Sequence, residues 1–185
     1  MAQSDFSIEK LKSKVGLGSF AKGNRYNVLI IPPSGIISNL VPDVPERLQY
    51  LCDAVSLPTK GIATNPHDIY GPPREIAYRE TFTEPALSFY IDDSFFIKKY
   101  FDDWQASVID PETGNSRYYD NYTGTISITR LPNDATSFGN VIGDYKVELL
   151  EAYPSVVGEV QLGHAQGSEV LKLSVTFKYR RWNSI

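Results

Sequence analysis

The clearest pattern in the chain lies in its last segment. Leu171, Leu173, Val175, Phe177 and Tyr179 alternate with Lys172, Ser174, Thr176, Lys178 and Arg180. A period of two is a strand with one dry and one wet face. The same period recurs over Arg25 to Ile31, where Tyr26, Val28 and Ile30 oppose Arg25, Asn27 and Leu29 before Pro32-Pro33 ends the run. It returns at Thr123 to Arg130 (Ile126, Ile128) and at Tyr145 to Tyr153 (Tyr145, Val147, Leu149). Glu75 to Glu80 and Ala86 to Ile91 read as two more strands around a Thr83-Glu84-Pro85 turn.

A period of 3.6 appears twice. Ile97, Phe101, Trp104 and Val108 form a stripe widened by Phe96 and Tyr100, with Lys98, Lys99, Asp102 and Asp103 on the wet side. Asp92 or Asp93 caps this helix, and the turn chemistry of Asp110 to Gly114 stops it. Phe6, Ile8, Leu11 and Val15 give a shorter helix ended by Gly16-Leu17-Gly18. Pro45 to Pro58 fits a helix or a buried strand equally well. From Thr59 to Arg74, Gly61, Pro66, Gly71, Pro72 and Pro73 predict an irregular loop. Loops of that length in a compact domain are often binding segments.

The elements sum to a mainly β fold: an antiparallel β-sandwich or barrel of about six to seven strands, one flanking α-helix and a long extended loop. Residues 1–185 read as one domain, with an arm at 1–20 and the loop at 59–74. The chain has 185 residues, 42% of them hydrophobic and 12% aromatic, ample for a core without staples. A single cysteine, Cys52, excludes an internal disulfide framework and a multi-cysteine zinc site. A net charge of -4 argues against a nucleic-acid binder. No apolar run reaches the ~20 residues of a membrane span, and Met1 to Asp5 lacks a signal-peptide pattern. The expectation is a soluble, intracellular protein.

Candidate chemistry is sparse. Gly16 to Ala21 formally fits G-x-G-x-x-A, but a dinucleotide site needs a strand before it and a helix after it, the reverse of the order here. Asp92-Asp93 and Asp102-Asp103 suit a helix start and a solvated face better than a cation loop. His67 and His164 lack a ligand partner at metal spacing. No nucleophile elbow is present, and Cys52 sits in an apolar stretch that suits an inert thiol. Asn121-Tyr122-Thr123 is a formal sequon, without meaning in an unsecreted chain. No cofactor, metal or catalytic group is expected. Seven acids against two lysines from Glu84 to Glu112, and four bases against one acid from Glu169 to Arg181, leave two readings open: head-to-tail docking of copies, or ordinary surface variation.

The run Tyr153 to Leu162 (YPSVVGEVQL), followed by Glu169 to Trp182, resembles the closing corner and strand of the tail tube subunit of contractile-tailed phages of the T-even type. Phe89 to Ile109, with Phe101-Asp102-Asp103-Trp104, is similar to that family's strand and F-x-x-W helix. Leu57-Pro58 and the lead from Phe6 to Ile31 resemble its other landmarks. The segments Pro32 to Pro45 and Asp110 to Tyr122 look longer than in the shortest members. The resemblance implies a subunit of six-membered rings stacked into a hollow tube, the fold shared with the inner tube of type VI secretion systems. It further implies a surrounding sheath, a baseplate or tube initiator, an enclosed tape-measure protein and DNA passing in transit, in a virion assembled in the host cytoplasm. On that reading Phe6, Leu11 and Phe20 of the arm and Ile62, His67, Ile69 and Tyr70 of the loop contact neighbouring copies. Ile97, Phe101, Trp104 and Val108 form the core helix, and Leu171, Leu173, Val175, Phe177, Tyr179 and Trp182 the closing strand. A baseplate relative of the same fold is the near alternative. A carbohydrate-binding sandwich using Trp104 and Trp182 as a sugar platform is the distant one.

Overall fold

The computed structural model describes residues 8–15, 20–33, 44–68, 71–132, 145–164 and 169–185, the side chains at 11, 12, 14 and 15 excepted. The order is α1 (Ile8–Val15), β1 (Tyr26–Ile31), α2 (Val44–Leu51), β2 (Cys52–Val55), β3 (Lys60–His67), β4 (Arg74–Phe82), β5 (Ala86–Tyr90), α3 (Phe96–Val108), α4 (Tyr119–Tyr122), β6 (Gly124–Arg130), β7 (Lys146–Val157), β8 (Lys172–Lys178) and β9 (Arg181–Ser184). The ambiguous stretch from Pro45 to Pro58 holds both readings in succession, α2 and then β2.

Seven strands form one antiparallel sheet in the order β1-β6-β7-β8-β5-β2, with β9 also on β7. The sheet folds over at β7, which is shared between two halves. Its first part pairs with β6 on one side and β9 on the other. Its second part, from Tyr153, pairs with β8. At the junction Glu151 takes φ 56°, a left-handed conformation that costs a non-glycine residue free energy. The β6–β7 register shifts there, between the Gly124–Ala152 and Ile126–Leu149 pairs. A bulge bends and twists its strand more sharply than a regular ladder permits. The Arg180 guanidinium donates to the Glu151 carboxylate at 2.9 Å, and the Arg180 N–H to the Leu150 carbonyl at 3.2 Å. Both fasten the corner from the link between β8 and β9. The expected single closing strand is therefore two: Tyr179 and Arg180 interrupt it, and Trp182 stands on β9 opposite Leu149.

One core fills the fold. Val28, Ile30, Ile126, Ile128, Val147 and Leu149 from one half face Leu87, Phe89, Leu173, Val175 and Phe177 from the other. The α3 helix caps them with Ile97, Tyr100, Phe101 and Trp104, all buried. Phe101 lies between Phe89 (5.2 Å, centroid to centroid) and Phe177 (5.9 Å), at tilted and edge-on angles that suit aromatic quadrupoles. The Asp92 carboxylate accepts the Phe96 N–H at 3.0 Å, so the expected acid caps α3 from upstream of the Phe95 N-cap position. Trp104 is fully buried, and its indole N–H donates to the Tyr122 carbonyl at 2.8 Å. That burial removes it from any sugar platform.

The region from Thr59 to Arg74 departs from expectation. It is no irregular loop, because β3 and β4 pair from Lys60–Phe82 to His67–Arg74 with a bulge at Ala63–Thr64. Gly61 and Pro66 are tolerated because a two-stranded ribbon consists only of edges, where a missing proline N–H leaves no ladder partner stranded. Neither strand carries a buried residue. Ile69 and Tyr70, between them in sequence, lie outside the described residues, as do Phe6 and Gly16 to Ser19.

Gly124 is the tightest point of the corner. A Cβ there would stand 2.4 Å from the Ile31 carbonyl oxygen and 3.2 Å from the Trp104 ring. Gly124→Ala is expected to lower unfolding stability by about 1–3 kcal/mol. Gly23→Ala, with nothing within 4 Å of its Cβ, is the near-neutral control in the same urea titration. Tyr100 is 1% exposed, and its hydroxyl has no hydrogen-bond partner among the described residues. Burial drives its pKa upward, so it stays neutral. Tyr100→Phe removes the orphan and is expected to raise stability by about 1 kcal/mol, read as a higher urea midpoint; a lower midpoint would mean that the hydroxyl is satisfied.

Candidate assembly surfaces

The β3–β4 ribbon is the most exposed element of the structure. Ile62 is 64%, Ile76 53% and Tyr78 66% exposed. A lone two-stranded ribbon is marginal in water and needs a third layer for stability. Its own contacts are modest: Lys60 pairs with Glu80 at 2.7 Å, and the Thr64 hydroxyl donates to Glu75 at 3.0 Å. The base is firmer. The Thr83 N–H donates to the Thr59 carbonyl (3.3 Å), the two threonine hydroxyls meet at 2.8 Å, and the Tyr179 hydroxyl donates to the Thr83 carbonyl (2.9 Å). Phe82 packs on Tyr179 at 5.9 Å.

Beneath the ribbon lies an open cleft of about 490 Å³, lined among others by Arg79, Phe82, Tyr119, Tyr153, Lys178 and Tyr179. Tyr122 links Tyr119 and Tyr153 by edge-on contacts at 5.5 and 5.4 Å. Burial and then the Glu151 charge raise the Tyr119 pKa, keeping the phenol protonated.

The sheet leaves strands open. Among the described residues, β1 pairs only with β6, and β9 only with β7. At the rim between β1 and β2 a second cleft, about 380 Å³, is lined by residues that include Tyr26, Asp53, Val55, Leu57 and Arg130. Asp53 accepts from the Lys172 ammonium at 2.7 Å, which holds its carboxyl below the ordinary range. Cys52 is half-buried, and its thiol is pushed up to about 12 by burial, with the Asp53 charge adding to it. A thiol at that pKa is a poor nucleophile at neutral pH.

The charge contrast along the sequence does not become two charged ends. Lys172 pairs with Asp53, Lys178 with Glu84 at 3.5 Å and Arg180 with Glu151. Because β5 lies beside β8, Glu84 of the acidic run meets Lys178 of the basic run, while Lys172 and Arg180 find acids outside that run.

The expected residues divide into two groups. Ile97, Phe101 and Trp104 of α3, and Leu173, Val175 and Phe177 of β8, are core, with Val108 half-buried. Leu171, Tyr179 and Trp182 are half-buried at its margin. Ile62 and His67 are exposed on β3 and Phe20 ahead of β1, while Leu11 lies on α1. Ile76 and Tyr78 escaped the sequence reading, although their alternation with charged neighbours signalled a dry face. Among the described residues no cluster of His, Cys, Asp and Glu could hold a metal ion.

Comparisons with known proteins agree with this architecture. A tube-terminator structure of an extracellular contractile injection system matches with a TM-score of 0.62 and 15% identity over 92% of this chain and 99% of that one. The tube-terminating cap of the anti-feeding prophage matches at 0.61 and 13%, over 100% and 99%. A chain of the anti-feeding prophage baseplate matches at 0.59 and 12%, over 91% and 97%. At these identities the likeness is one of fold. No curated protein sequence matches the chain. The model of one family, described as phage tail tube protein, matches residues 21–185, from the root of the arm through β9, and the chain belongs to that family.

Proposed function

We propose that this protein is the structural subunit of a phage tail tube, assembling into six-membered rings that stack into a hollow tube. The observation that carries the reading is the β3–β4 ribbon, a stretch of paired strands with apolar side chains and no core of its own. A surface of that kind is completed by another molecule. Membership of the tail tube family supports a second copy in that place.

The sheet edges supply the second contact. In the half-sheet β1-β6-β7-β9, strands β1 and β9 are open on opposite sides. Apposing β9 of one copy to β1 of the next is a heterologous contact, which closes into a ring when the rotation per copy divides a full turn. The face of this half-sheet away from the core carries Asn27, Leu29, Ser127, Thr129 and Asn183, with Lys146 and Glu148 paired to each other and Arg181 as an exposed base at the β9 edge. Turned toward a ring axis, it offers DNA in transit few phosphate-binding charges. The same polar wall suits a tape-measure protein. The α3 face opposite the core then points outward, toward a sheath. Ribbons reaching along the axis join one ring to the next. The work is assembly without catalysis, located in the virion tail and begun in the host cytoplasm.

The fold match to a baseplate chain keeps a second reading in play, a tube initiator that forms a ring without polymerising. Electron microscopy of the purified protein separates the two: stacked tubes mark the main subunit, rings alone the initiator, and a monomer at high concentration overturns both. Replacing residues 60–82 by an Asn-Gly turn exploits the hydrogen-bonded Thr59–Thr83 base. The shortened protein is expected to keep its urea midpoint within about 1 kcal/mol, since no buried residue is removed, yet to form no tubes. Tubes of normal length from this variant would remove the ribbon from the axial contact.

A further inference from the structure

A groove of about 480 Å³ runs between two irregular stretches of chain, residues 159–163 and 169–171, with Lys172 at the start of β8 completing its lining. Its walls pair apolar with acidic groups. Leu162 is 72% and Val170 65% exposed on opposite sides, with Val160 and Leu171 between them and Glu159 and Glu169 at the rim. Neither glutamate has an ion pair among the described residues; Glu159 accepts only the Gln161 amide at 3.3 Å. The one cation in the lining, Lys172, is already taken by Asp53. The groove is therefore an aliphatic slot with two uncompensated negative charges.

The chain carries an element of the opposite chemistry. The α1 helix reads IEKLKSKV, and at 3.6 residues per turn Ile8, Leu11 and Val15 share one stripe. By the same spacing Lys12 and Lys14 fall on either flank of that stripe. In the structure Ile8, at the head of this stripe, is 64% exposed.

Donor and acceptor stand on the same rim. Ala21, Lys22 and Gly23, the root of the arm, line the cleft that also contains Asp53. Asp53 in turn holds Lys172, a lining residue of the acidic groove. The chain from Val15 to Ala21 can span at most about 20 Å. In a ring of side-by-side copies, the same rim of a neighbour lies at the same height as the root of the arm.

We propose that α1 of one copy docks in the acidic groove of the next, its aliphatic stripe against Leu162 and Val170 and its lysines beside Glu159 and Glu169. This rests on the ring reading and gives it a specific lateral latch. Each subunit gives one helix and receives one, so the contact is heterologous and propagates around the ring. Charge matching sets the partner and the orientation of the helix.

Two charge-reversed variants test it: an arm variant, Lys12→Glu with Lys14→Glu, and a groove variant, Glu159→Lys with Glu169→Lys. Sedimentation velocity reads the assembly of each at matched concentration, and circular dichroism confirms that each is folded. Alone, each variant is expected to need a concentration about tenfold or more above wild type to assemble, because like charges meet at every junction. Mixed in equal amounts they are expected to recover wild-type assembly, since each reversed arm then finds a complementary groove. If either variant alone assembles like wild type, the latch is wrong while the tube reading stands. If the mixture stays dispersed but a chain carrying all four changes assembles, the helix docks on its own subunit and the proposal fails. A wild-type protein that never assembles removes the ring reading and the latch together.

Discussion

The fold depends on one sharp corner. A flat seven-stranded sheet cannot enclose a core, so the chain folds the sheet across β7, at Glu151. The cost is a non-glycine residue in left-handed conformation and a break in the β6–β7 ladder. The surrounding structure over-determines it. Gly124 brings the β6 backbone within Cβ distance of Ile31, Trp104 sits over that approach, and Arg180 grips both the Glu151 carboxylate and the Leu150 carbonyl. With the corner in place, both dry faces look inward and α3 closes the gap between them.

The same corner leaves the molecule incomplete in a useful way. Folding the sheet creates two half-sheets without closing either into a barrel, so β1 and β9 remain open. The β3–β4 ribbon leaves the body altogether. Monomeric proteins usually blunt such edges with charge, bulges or a covering helix. In the proposed tube, identical neighbours supply the coverings instead. The internal pairing of Lys172, Lys178 and Arg180 serves that assembly as well. It removes three basic groups of the closing strands from the set that could drive copies into wrong contacts.

Much of this architecture is legible in residue order. The alternation from Leu171 to Tyr179 and the stripe from Ile97 to Val108 locate β8 and α3, because each must bury one face within its own subunit. Legibility fails where burial lies outside the chain. Ile76 and Tyr78 fall in a run that reads as strand, but around Ile62 the nearby prolines and glycines make the chain read as loop, and no core within the subunit corrects that impression. The split between β8 and β9 was hidden for a different reason. Trp182 continues a strand-like sequence, and only the pairing with Leu149 reveals that the chain has changed partners. The neutralised charges were equally hidden, since the β5–β8 pairing that brings Glu84 to Lys178 joins distant parts of the sequence.

The stapled threonines at the foot of the ribbon have a consequence for how such proteins diversify. Because Thr59 and Thr83 already hold hands, whatever is strung between them is thermodynamically insulated from the body. Lineages can lengthen, shorten or exchange that finger while inheriting the palm unchanged. Tubes of differing stiffness and pitch become accessible from a single well-folded chassis.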